Sequence, residues 1–136
     1  MEIGKGIKMA DGKDVTIIAT GITVAMALEA RTLLASEGID AAVVNIHTIK
    51  PLDRELVISE AGRTGAIVTA EEHNIIGGLG EAISAVTSES NPVPVLRVGI
   101  EDAFGRSGKV PALLEKYGLT SAAIAEKARA AIALKR

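Results

Sequence analysis

The residues of this chain best equipped for chemistry lie in one short run, TAEEHNIIGGLGEAI, residues 69–83. Glu71, Glu72 and His73 can hold or move protons, and Gly77, Gly78 and Gly80 form a turn that lets an anion approach backbone N–H groups. Three chemistries are open to such a set, and the spacing weakens each. The glycines read G-G-x-G rather than the G-x-G-x-x-G of dinucleotide sites, and no lysine follows to reach a β- or γ-phosphate. Two carboxylates precede the turn and would repel an anion. A metal needs convergent ligands, whereas consecutive strand residues point to opposite faces, so Glu71, Glu72 and His73 are poorly spaced even with help from His47. An acid–base pair of Glu72 and His73 would need a substrate pocket and usually a nucleophile or cofactor beside it. The plainer reading is that strand-end side chains hydrogen-bond the loop backbone while the glycines allow tight packing.

Two other places hold reactive or unusual residues. His47 stands between Ile46 and Thr48 near a strand end and reads as a satisfied structural histidine. The loop DAFGRSG, residues 102–108, sets Phe104 among glycines and charges behind Asp102. A lone phenylalanine there either folds back on its own core or docks on something else.

Composition narrows the choices. The chain has 136 residues, which is one domain with a real core. Hydrophobic residues make up 48%, yet Phe104 and Tyr117 are the only aromatics, so base- and sugar-stacking platforms are missing. Fifteen basic against seventeen acidic residues give a net charge of −2, which offers nothing to a nucleic-acid backbone. The absence of cysteine excludes thiolate catalysis, disulfides and thiolate metal sites. No leader pattern and no membrane-length apolar run is present, so a cytoplasmic domain with no membrane and no nucleic-acid partner is expected.

The elements that must position these loops alternate between strand and helix. Residues 3–14 read as a short extended segment ending in an Asp11-Gly12 turn. VTIIAT (15–20) is apolar on both faces and reads as a central strand. Thr23 is placed to N-cap the next helix, whose stripe is Met26, Ala27, Ala30, Leu33 and Leu34, with Gly38 as its stop. DAAVVNIHTI (40–49) is a second buried strand. Pro51 ends it, and Asp53 caps a helix with Leu52 and Val57 at staple spacing, closed by Gly65. AIVTAEE (66–72) is a third apolar strand. A helix with Leu79, Ala82, Ile83 and Val86 on one face follows the glycine turn. After NPVP come the strand VLRVGI (95–100) and helices over 110–117 and 120–134, the last capped by Thr120. The order predicts an α/β fold: a three-layer α/β/α domain with a five-stranded mixed, mostly parallel sheet and an antiparallel edge strand. The loops at 20–23 and 71–80 then flank the point where strand order reverses, where such sheets hold ligands.

Five stretches, GKDVTIIATGITVAMALEA, NIHTIKPLD, GAIVTAEEHNIIGGLGEAI, PVLRVGI and FGRSGKVPALLEKYGLT, together resemble the C-terminal domain of transketolase. The likeness is strongest to the C-terminal subunit of split, two-gene transketolases. The Phe104-Gly105-x-Ser107 loop and Tyr117-Gly118-Leu119-Thr120 favour it over two relatives sharing the domain, 1-deoxy-xylulose-5-phosphate synthase and the 2-oxoacid dehydrogenase beta subunits. The resemblance implies a parent enzyme that uses thiamine diphosphate and Mg to move two-carbon ketol units between sugar phosphates in the pentose phosphate pathway. It implies that residues 1–136 are a single C-terminal domain, with the cofactor-binding domains elsewhere. No catalytic, cofactor-binding or metal residues are carried onto this chain, which alone is expected to be inactive and to bind no cofactor. The expected role is scaffold and assembly within a dimer or other homo-oligomer. Gly21, Glu72, His73, Asn74, Gly77, Gly78, Gly80, Asp102 and Phe104 would face the preceding domains or subunits. The competing reading is a small-molecule regulatory module that uses the sheet's reversal point.

Overall fold

The computed structural model describes residues 4–47, 51–74, 78–100 and 120–135. Its elements follow the alternation of the sequence: β1 (Ile7–Ala10), β2 (Val15–Ala19), α1 (Thr23–Ala35), β3 (Ala41–Asn45), α2 (Arg54–Thr64), β4 (Ile67–Asn74), α3 (Leu79–Ser90), β5 (Val95–Ile100) and α4 (Ser121–Ala133). The five strands form one sheet in the order β1-β3-β2-β4-β5. β1 runs antiparallel to β3 at one edge, and the remaining pairs are parallel. This is the expected three-layer arrangement with its antiparallel edge strand.

Alternation along the strands divides the core in two. Val15, Ile17, Ala19, Val43, Val68 and Ala70 point to one face, where Ala27, Ala30 and Leu34 of α1 and Ile124, Ala125, Ala128 and Ala131 of α4 cover them. Ile18, Val44 and Ile67 point to the other, under Val57 and Ala61 of α2 and Leu79, Ile83 and Val86 of α3. Helices on both faces explain why β2 is apolar at consecutive positions and buried along its whole length. The helix ends follow local rules. Asp53 accepts a hydrogen bond from Leu56 N at 3.2 Å, and Thr120 accepts one from Ala123 N at 3.0 Å. Gly65 ends α2 at φ +73°, a conformation that suits glycine.

Three local expectations are corrected. Ile22, not Thr23, is the N-cap of α1. Thr23 is its first helical residue, and its hydroxyl is used across the sheet. Leu33 is 43% exposed, because the stripe that meets the sheet is Thr23, Ala27, Ala30 and Leu34, one residue's rotation away. His47, read as a structural histidine, lies exposed just beyond β3. The helix expected over 110–117 lies outside the described residues.

Candidate functional site

Strand order reverses at β2: the chain moves to β3 on one side and returns to β4 on the other. The C-terminal ends of β2 and β4 therefore flank the crevice where open parallel sheets hold ligands. The described parts of the expected loops flank it: the β2–α1 turn at 20–23, Glu71 and Glu72 at the end of β4, and Gly78 and Gly80 at the start of α3.

The protein fills this crevice with its own groups. Pleating sends neighbouring residues of β4 to opposite faces, so Glu71 and Glu72 part company. Glu71 turns toward α3 and is 2% exposed. Its two oxygens accept hydrogen bonds from Leu79 N at 2.9 Å and Gly80 N at 3.0 Å. Those are orphan donors at the start of α3, whose N-cap residue Gly78 has no side chain to offer them. A carboxylate at this position also meets the positive end of the helix dipole. The anion cradle suggested by the glycine turn exists in geometry, and its anion is Glu71.

Glu72 goes to the other face and reaches the β2–α1 turn. Gly21 has φ +58°, and a Cβ there would collide with Glu72 Oε1. Glycine is required at Gly21 on both counts, by its backbone angle and by the approach of the carboxylate. The Thr23 hydroxyl closes the remaining gap. It accepts from Thr20 N at 3.0 Å and stands 2.8 Å from Ala70 O, tying the turn to β4. Gly80 solves a different problem: a Cβ would strike the stem of Arg97 on β5 and stand 2.9 Å from Thr69 Oγ1. Ile22, 44% exposed, forms an apolar rim beside Gly21.

Of the residues singled out by the sequence, Gly21 and Glu72 come together, and Gly78 and Gly80 stand at the start of α3. The backbone of His73 and Asn74 completes β4, while their side chains, and Gly77, Asp102 and Phe104, lie outside the described residues. The sequence set omits Glu71 and Thr23, whose side chains bond the start of α3 and the β2–α1 turn. Strand alternation carried the signal for Glu71: it puts this residue and Glu72 on different faces and sends one of them to α3.

These residues do not fit a diphosphate or a nucleotide phosphate. Glu71 already takes the donors such a group would use, and Glu72 adds a second negative charge nearby. Among the described residues no group of three or more His, Cys, Asp or Glu could hold a metal ion. No helix of the described residues is long and apolar enough to cross a membrane.

Comparison with known proteins bears on the family and the fold. The family model for the transketolase C-terminal domain matches residues 4–124. The chain is 50% identical over 126 residues to the 6-deoxy-6-sulfo-D-fructose transketolase subunit SqwH of Clostridium sp., covering 93% of this chain and 39% of that protein. It is 46% identical to a putative transketolase C-terminal section of Methanocaldococcus jannaschii, with the same coverage of 93% and 39%. It is also 48% identical to a 1-deoxy-D-xylulose-5-phosphate synthase of Heliobacterium modesticaldum, covering 93% of this chain and 20% of that protein. A solved split-gene transketolase, described as an inactive beta4 tetramer, superimposes with a TM-score of 0.95 at 52% identity, covering 100% of this chain and 45% of that one. A Pichia stipitis transketolase shares the fold at a TM-score of 0.68 and 24% identity, covering 96% of this chain and 18% of that one. The chain thus spans about two fifths of the length of its split relatives and one fifth of the synthase.

Proposed function

The chain belongs to the family of transketolase C-terminal domains, and from that premise we propose that it is the assembly domain of a split transketolase. In this reading residues 1–136 form one C-terminal domain. The parent enzyme uses thiamine diphosphate and Mg to transfer two-carbon ketol units between sugar phosphates, as part of the pentose phosphate pathway in the cytoplasm. The cofactor is held by other domains or subunits. The domain's contribution is a rigid sheet end whose rim, with Gly21, Ile22 and Glu72, faces those partners in a dimer or larger homo-oligomer. His73, Asn74, Gly77, Gly78, Gly80, Asp102 and Phe104 are counted among the interface residues on the strength of the family resemblance.

The observation that carries this reading is the occupied crevice. Glu71 seated on α3, Glu72 over Gly21 and Thr23 against Ala70 leave the reversal point no free anion-binding donors at Leu79 and Gly80. That weighs against a regulatory module binding an anionic metabolite there. Calorimetric titration of residues 1–136 with thiamine diphosphate and Mg is expected to give no binding heat. Tight, Mg-dependent binding would overturn the proposal. The identity of co-purifying subunits, read by mass spectrometry from the native source, tests the assembly role. A second parent, 1-deoxy-xylulose-5-phosphate synthase, is favoured by the 48% identity to that enzyme. Ketol transfer by the reconstituted assembly separates it from formation of 1-deoxy-D-xylulose 5-phosphate.

A further inference from the structure

Strand β1 is fastened to the molecule differently from the other strands. It is four residues long and pairs on one side only, and its ladder with β3 is interrupted between Lys8 and Ala10. Ile7 and Met9 are 39% and 45% exposed, so little apolar area holds it. Its polar fastening is concentrated on α2 instead. Glu60, whose side chain is 1% exposed, receives Lys8 Nζ at 2.9 Å. Asp53, which caps α2 with one oxygen, accepts Gly6 N with the other at 2.9 Å. At the far end Asp11 meets Lys8 at 3.3 Å and Arg63 at 2.6 Å.

We propose that β1 is a strap that opens as a unit while the rest of the sheet stays folded, with the Lys8–Glu60 contact as its latch. The arrangement around Glu60 makes such an opening inexpensive. When Lys8 leaves, the carboxylate keeps the Thr16 hydroxyl at 3.0 Å and Arg63 Nε at 3.3 Å. The opening therefore does not strand a bare buried charge, which is what makes breaking most buried ion pairs costly. Lys8 gains water at once, since it is already 33% exposed. Opening also bares the outer edge of β3 at Val43–Asn45, whose backbone groups are then free to pair with another strand.

Native-state hydrogen exchange on the intact chain, in low concentrations of urea, tests this. Local opening exposes little surface, so β1 amides bonded to β3 should exchange with almost no urea dependence, on the order of 100-fold faster than the centre of β2. Two variants separate local from global opening. Ile124→Val weakens the distant core and should speed exchange in β2 about fivefold while leaving β1 unchanged. Lys8→Met should speed β1 exchange roughly tenfold. The strap is refuted if β1 shares the urea slope of β2 and moves with it in Ile124→Val. The latch is refuted if Lys8→Met leaves β1 protection unchanged.

Discussion

Replacing Glu71 by glutamine removes a charge and almost no volume, so it isolates the internal capping of α3. Both oxygens of Glu71 are engaged, at 2.9 and 3.0 Å, by Leu79 N and Gly80 N. A hydrogen bond to a charged group contributes about 1.5–3 kcal/mol. A carboxylate at a partly buried helix start contributes up to about 2 kcal/mol through the dipole, a sum that overlaps the hydrogen bonds rather than adding to them. Glutamine keeps one acceptor and turns an NH₂ donor toward the second N–H, leaving that donor unsatisfied in a site only 2% exposed. The expected loss is therefore about 2–3 kcal/mol. Alanine, which frees both donors, should cost about 3–4 kcal/mol. For a domain of this size the glutamine variant should melt roughly 8–12 °C lower. Urea unfolding followed by circular dichroism gives the free energy, and exchange at residues 79–83 shows whether the loss sits in the first turn of α3. Glu72→Gln is the control, with an expected cost below about 1 kcal/mol because that side chain is half-buried at the rim. A Glu71→Gln variant within about 0.5 kcal/mol of the parent would refute the self-capped crevice.

Three further outcomes are expected. Burial pushes the Glu60 carboxyl up, but hydrogen bonds from Arg63, Lys8 and Thr16 and the Lys8 charge prevail and hold it below its ordinary 4.5. A lowered folded-state value means that its contribution is complete above 4.5 and drains away as pH falls below it. Urea midpoints measured between neutral pH and pH 3 should accordingly show a shallower acid loss in Glu60→Gln, and parallel curves would contradict this linkage. Gly62→Ala should raise stability by about 0.5–1 kcal/mol, because the position is inside α2 and a Cβ would meet only Asn91 Nδ2, at 3.6 Å; a lowered melting temperature would count against it. Gly21→Ala should cost about 1–2 kcal/mol from its φ of +58° together with the Glu72 contact. Adding Glu72→Ala should recover only the steric part, which a double-mutant cycle measures; full recovery would mean the backbone angle carries no strain.

The strand–helix order, the caps at Asp53 and Thr120 and the stop at Gly65 were legible because each depends on a few neighbouring residues. The apolar runs at 15–20 and 40–49 signalled a sheet covered on both faces, and the tight turn after a short first segment signalled an edge. Thr23 misled for the same reason. Its spacing suits a helix cap, but its hydroxyl lies against the Thr20 backbone and the Ala70 carbonyl on β4, far away in sequence, instead of capping α1. Leu33 was assigned to the stripe by helical spacing, whereas the sheet meets a set of positions one step away.

The sequence by itself determined the architecture, since alternation and periodicity are properties of short segments and the α/β pattern admits few topologies. It also weakened the phosphate reading of residues 69–83 through the missing lysine and the glycine spacing. What only the tertiary structure decided is where Glu71 and Glu72 go. Pleating of β4 divides two adjacent glutamates between the faces of the sheet. One is delivered to the open donors of α3 and the other to a glycine on the β2–α1 turn. Alternation along the strand separates the two glutamates, but the partner that each one meets is fixed by packing across the sheet.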